Sequence, residues 1–115
     1  LEGRPEIGFA YLHGSFVEGH RYRDLDLAIY LQPGRDVDPF DYGMDLSVQL
    51  ARALGLPVDA QVLNDAPLGF QQAVSRGEIL LVRDEAMLTA WLERVALEYA
   101  EFAYLGRVYL REVTS

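Results

Sequence analysis

LHGSFVEGHRYRDLDLAIYL, residues Leu12 to Leu31, joins a Gly-Ser turn to an apolar run that carries two alternating aspartates. Successive side chains on a strand point to opposite faces, so Asp24 and Asp26 project from one face, with Leu25 and Leu27 on the other. Two aligned carboxylates roughly 7 Å apart at the backbone can converge on one divalent cation or share a pair, as hard cations require. Upstream, Ile7 to Leu12 is a β-favouring apolar run that ends at His13-Gly14-Ser15. Glycine lets a ligand approach the backbone without meeting a Cβ, which makes Gly14 and Ser15 candidate phosphate contacts. A helix starting near Ser15 would add free N–H groups and a positive dipole end. The stretch therefore reads as a phosphate cradle followed by a metal clamp, the parts needed to hold a metal–triphosphate complex. Gly-Ser is by itself a common turn, and Asp-x-Asp by itself often lies on a solvated strand face. Their order, strand, turn, then paired acids on a second strand, is what points to chemistry.

After this second strand, Pro33-Gly34 signals a turn, and Asp36, Asp38 and Pro39 continue a loop whose acids read as solvated or as helix-start signals. Asp41 is expected to cap a helix over Tyr42–Leu54, closed by Gly55, with Met44, Val48, Leu50, Ala51 and Leu54 on its apolar face. Val58 to Leu63 forms the next strand, and Asp59 is its conspicuous polar residue. Beside the Asp-x-Asp strand, Asp59 would join Asp24 and Asp26 in a cluster that repels itself unless cations neutralise it. On an outer strand facing solvent, it would be an ordinary exposed acid. Asn64-Asp65-Ala66-Pro67 reads as a turn and cap for a short helix over Pro67–Arg76, and Glu78–Arg83 as a further strand. His13, which beside a phosphate site could bind a nucleotide, is assigned a local packing or hydrogen-bonding role, His20 a loop, and Leu1–Glu6 a solvated lead-in.

From Asp84 to Arg111, Leu88, Leu92, Val95, Tyr99, Phe102, Gly106 and Tyr109 recur at helical spacing. At ~1.5 Å per residue, about 28 residues span ~42 Å, longer than a domain of this size is wide. The first half should pack within the molecule. The aromatic second half should overhang to meet another copy or another protein, although Gly106 argues against an unbroken helix.

Composition excludes several chemistries. All 10 basic residues are arginine, so a P-loop lysine, a Schiff base and a lysine-linked nucleotide intermediate are impossible. With no cysteine there is no thiol nucleophile, disulfide or zinc–thiolate site. The formal charge of −8 disfavours binding of long nucleic acid. The opening LEGRPE has no apolar signal core, and no run approaches the ~20 apolar residues of a membrane span, so a cytoplasmic location without membrane contact is expected. At 115 residues the chain is expected to be one domain. Residues 7–83 would form its catalytic sheet and helices, and 84–111 its C-terminal helix.

Gly14-Ser15, the Asp24-x-Asp26 strand and the acid Asp59 on a following strand resemble the minimal nucleotidyltransferases of the DNA polymerase β superfamily. The resemblance covers roughly residues 7–83 and implies an α+β fold, a small mixed β-sheet with helices packed on it, extended here by the long C-terminal helix. It implies a nucleotide-binding role for Gly14 and Ser15, and a catalytic, metal-binding role for Asp24, Asp26 and Asp59 around two Mg²⁺ ions. The implied reaction moves a nucleoside monophosphate, AMP by family weighting, from the triphosphate to an acceptor hydroxyl. Small members similar to this chain are antitoxins paired with a HEPN ribonuclease toxin, and some adenylylate a tyrosine on that partner. Many members carry an Arg shortly after the Ser and a Ser before the first Asp, where this chain has Val17, Glu18 and Arg23. Two alternatives stand beside this reading. One is an antitoxin with weak or no catalysis that acts by contact, and the other is transfer to a small-molecule hydroxyl.

Overall fold

The computed structural model describes residues 1, 3–13, 25–34 and 36–114. Strands β1 (Ile7–His13), β2 (Leu25–Leu31), β3 (Val58–Val62) and β4 (Glu78–Val82) form one sheet in the order β3-β2-β1-β4. Helix α1 (Pro39–Leu54) connects β2 to β3, α2 (Leu68–Ser75) connects β3 to β4, and α3 (Glu85–Thr114) follows β4. β1 runs antiparallel to both neighbours, whereas β2 and β3 are parallel. Parallel neighbours need a crossover, which α1 supplies. The expected mixed sheet with packed helices and a long C-terminal helix is the observed architecture.

The central strands are buried on both faces, which is why they read as nearly continuous apolar runs. On one face Phe9, Tyr11 and Ala28 pack with Val74 of α2 and with Leu88, Trp91 and Val95 of α3. On the other, Ile7, Ala10, Leu27, Ile29 and Leu31 pack with Ala60 and with Leu46 of α1. Trp91 is held in place by a buried relay: its Nε1–H donates to Gln71 Oε1 at 2.8 Å, and Gln71 Nε2 donates to the Ala66 carbonyl at 2.7 Å.

α1 starts earlier than expected, and Asp38 rather than Asp41 caps it. The Asp38 carboxylate accepts from the N–H groups of Phe40 and Asp41, at 2.8 and 3.4 Å, and Pro39 occupies the first turn. The far end closes as anticipated at Gly55, in the left-handed conformation (φ 74°) that glycine adopts without strain. The packing face differs in part from expectation, since Leu50 packs against the core as anticipated but most of the contact is made by other residues. Ala60 N–H donates to Ser47 Oγ at 2.8 Å, and that hydroxyl donates to the Gly43 carbonyl at 2.7 Å. A Cβ on Gly43 would lie 2.6 Å from the Ala60 carbonyl oxygen. The helix therefore lies against the outer edge of β3 through Gly43, Leu46 and Ser47, leaving Met44, Val48 and Leu54 about half exposed.

The remaining boundaries shift slightly. Leu63 falls just outside β3, yet it is fully buried and its N–H donates to the Ile29 carbonyl at 2.8 Å. Asp65 does not cap α2, whose N-terminus has no side-chain cap. The lead-in is not simply solvated: the Arg4 guanidinium lies over the Tyr42 ring, and the Tyr42 hydroxyl donates to Glu6 at 2.6 Å. α3 runs through Gly106 without a break, and its fully packed residues end at Val95. Beyond that point Leu97, Phe102, Tyr109, Leu110 and Val113 are each at least 60% exposed. The overhang gives the molecule a long dimension of 56 Å.

Candidate functional site

Strand register places three polar residues in a row. His13 of β1 lies opposite Asp26 of β2, and Asp26 lies opposite Asp59 of β3. By alternation they share the face of Tyr11 and Ala28, toward α2 and α3. Those two helices pack on each other and on β1, so the row is covered at the β1 end and open at the β3 end. His13 and Asp26 are accordingly half-buried, and Asp59 is exposed. The two readings of Asp59 merge, because it is an exposed acid on an outer strand that also faces the acid of the Asp-x-Asp strand.

Adjacent strands are ~4.8 Å apart, a separation that lets the two carboxylates turn their oxygens to a shared cation. Gln61, two residues along β3 and on the same face, donates from Nε2 to Asp59 Oδ2 at 3.1 Å, which orients that carboxylate. Gly14, Ser15 and Asp24 lie outside the described residues. Among the described residues no group of three His, Asp or Glu side chains could hold a metal ion. Asp26 and Asp59 thus offer one ligand residue each. A pair of carboxylates on two rigid strands is a donor set that fits Mg²⁺.

His13 has the packing role expected of it. Its ring stands edge-on to Phe70 with centroids 5.3 Å apart, and a Cβ added at Gly77 would lie 3.4 Å from its Cβ. Its Nε2 is buried without a hydrogen-bond partner among the described residues.

A groove of about 440 Å³ runs along the outer side of β3, between the first turns of α1 and the Ala66-Pro67 segment. Phe40 and Met44 form one wall, Pro67 the other, and Asp59 stands at its rim. Nothing in the sequence reading anticipated it. Met44 and Val48 counted as packing residues because they are apolar, whereas the residues that bring α1 against β3 are a glycine and a serine, which carry no hydrophobic signal.

The polymerase β nucleotidyltransferase family model matches residues 1–86. No curated protein matches the chain by sequence. Several solved structures match its fold. A complex of tri-AMPylated Shewanella oneidensis HEPN toxin with MNT antitoxin matches at 22% identity and a TM-score of 0.71, covering 99% of this chain and 88% of the other. A toxin–antitoxin structure with AMP-PNP matches at 23% identity and a TM-score of 0.73, covering 99% and 91%. The MntA–HepT toxin–antitoxin pair matches at 20% identity and a TM-score of 0.70, covering 99% and 89%. The likeness extends over α3 as well as the sheet, and the family match spans every strand. With its fold and its row of strand-borne acids in place, the chain belongs to the polymerase β nucleotidyltransferase family.

Proposed function

We propose that the chain is an antitoxin that transfers AMP from ATP to a tyrosine hydroxyl of a HEPN-type toxin. The observation that carries this reading is the in-register pairing of Asp26 with Asp59 at the open end of the sheet face. The family match supports nucleotidyl transfer, and the AMPylated toxin and AMP-PNP complexes among the fold neighbours suggest the donor and the acceptor. Gly14 and Ser15 would hold the triphosphate. Asp24, Asp26 and Asp59 would hold two Mg²⁺ ions, which when bound supply charge neutralisation for the phosphates. In the transfer, the phenol oxygen forms a bond to the α-phosphorus while the bond from that phosphorus to the bridging oxygen breaks, and pyrophosphate leaves with the electron pair. Asp59, exposed on the outer strand and oriented by Gln61, would take the phenol proton. ATP as donor agrees with a cytoplasmic location, and no helix among the described residues is long and apolar enough to cross a membrane.

A second reading, neutralisation by contact alone, is favoured by one feature, the exposed outer half of α3. Titration calorimetry with ATP, with and without Mg²⁺, tests the first. Metal-dependent binding that Asp26→Asn abolishes supports a working site. Absence of binding to any triphosphate leaves contact through α3 as the function. Protection against the toxin then separates the two: it is lost in Asp26→Asn if transfer is needed, and on truncation after Leu97 if contact suffices.

A further inference from the structure

We infer that the groove along β3 is the docking site for the acceptor, and that it takes a protein segment combining apolar and basic side chains rather than a nucleotide or a nucleic acid. The inference rests on the transfer reading above, because its position is what links it to Asp59.

Position comes first. The groove borders Asp59, so whatever fills it lies next to the carboxylate assigned to the acceptor hydroxyl. Its walls come from fixed elements, since α1 is pinned to β3 through Ser47 and Gly43 and its first turn is tied by Asp38. Phe40 is 72% exposed and Met44 54%, yet neither contributes to the core beneath. Two large apolar side chains on a rigid helix, facing a proline across an open channel, form a surface that an apolar side chain can cover.

Charge selects the kind of occupant. The lining carries two carboxylates, Asp59 and Asp65, and no basic residue. The chain as a whole carries a formal charge of −8. A phosphate would be attracted to the positive end of α1, but the Asp38 carboxylate already accepts the N–H groups of Phe40 and Asp41 there. A polyphosphate or an oligonucleotide would thus meet acids with no compensating cation, whereas arginines or lysines beside an acceptor tyrosine would be attracted. The groove therefore selects among protein acceptors and disfavours the nucleotide.

The test measures binding without turnover. Three fluorescein-labelled probes are titrated with the full chain by anisotropy: a short peptide with a central tyrosine flanked by leucines and arginines, the same peptide with glutamates for arginines, and a single-stranded oligonucleotide of similar length. The arginine peptide should bind at least about tenfold more tightly than either of the others and weaken with salt. Phe40→Glu and Met44→Glu, both on exposed side chains, should weaken it by about tenfold or more while Mg²⁺–ATP binding stays unchanged. Equal binding of the glutamate peptide, stronger binding of the oligonucleotide, no binding of any probe, or unaltered binding in both variants would overturn the inference. If Mg²⁺–ATP fails to bind while the arginine peptide binds as described, the transfer reading fails and the groove remains a protein-docking surface.

Discussion

Asp59 owes its importance to register. An acid among Val58, Ala60 and Val62 is visible in sequence as an anomaly, but its position opposite Asp26 depends on β2 and β3 being adjacent and in phase. Like charges facing one another across a sheet destabilise it by ~0.2–1 kcal/mol. Asp59→Asn should therefore raise the melting temperature in metal-free buffer by about 1–5 °C, and Mg²⁺, expected to raise that of the parent chain, should leave the variant's unchanged, as read by differential scanning fluorimetry. At Tyr42, burial first, and then the hydrogen bond to Glu6, raise the phenol above its ordinary value. A proton held more firmly in the folded state gives stability that is intact below the unfolded value near pH 10 and is lost as pH rises through the folded value. Tyr42→Phe should accordingly flatten the alkaline fall in stability above about pH 10 in denaturant titrations. Neither the Tyr42 bond nor the Arg4 contact was legible in sequence, because both join a lead-in without periodicity to a helix about forty residues away.

Among the elements, the strands were the most readable and α1 the least. Strand runs bounded by His13, Pro33-Gly34 and Gly77 carry their punctuation with them. α1 has two apolar stripes, and apolarity alone cannot choose between them. The choice falls to Gly43 and Ser47, whose small size lets the helix backbone approach Ala60, so Phe40, Met44 and Val48 face outward. Gly43→Ala would force a methyl to within 2.6 Å of the Ala60 carbonyl. The helix must back away, at a cost of about 1–3 kcal/mol. Urea denaturation should read that loss, and should show none for Gly3→Ala, where an added Cβ meets nothing within 4 Å. The Asp24 half of the metal clamp and the Gly14-Ser15 cradle were read from motif order alone, and they lie outside the described residues.

At the scale of the whole molecule, α3 divides into a half that builds the fold and a half that projects from it. The apolar spacing is the same throughout, so sequence periodicity showed the stripe, and only its length against the expected width of the domain suggested that part of it would lack a sheet beneath. Trp91→Ala, in the packed half, should cost about 3–5 kcal/mol. Phe102→Glu, at a position 65% exposed, should leave the melting temperature of the free chain unchanged while abolishing association with the proposed toxin in size-exclusion chromatography with light scattering. The contact of α1 with β3 has a wider consequence for how the sheet can join other chains. The helix backbone occupies the place that a fifth strand would need on that side, and the Ser47 hydroxyl already accepts the Ala60 amide. Among the described residues β4 has no such guard, and its Ile79 and Leu80 are nearly half exposed. Of the two margins these residues form, β3 is therefore closed to a further strand and β4, opposite it, is the one at which the sheet can lengthen. A neighbour recruited by strand addition would extend the platform while leaving the acidic end of the sheet face accessible.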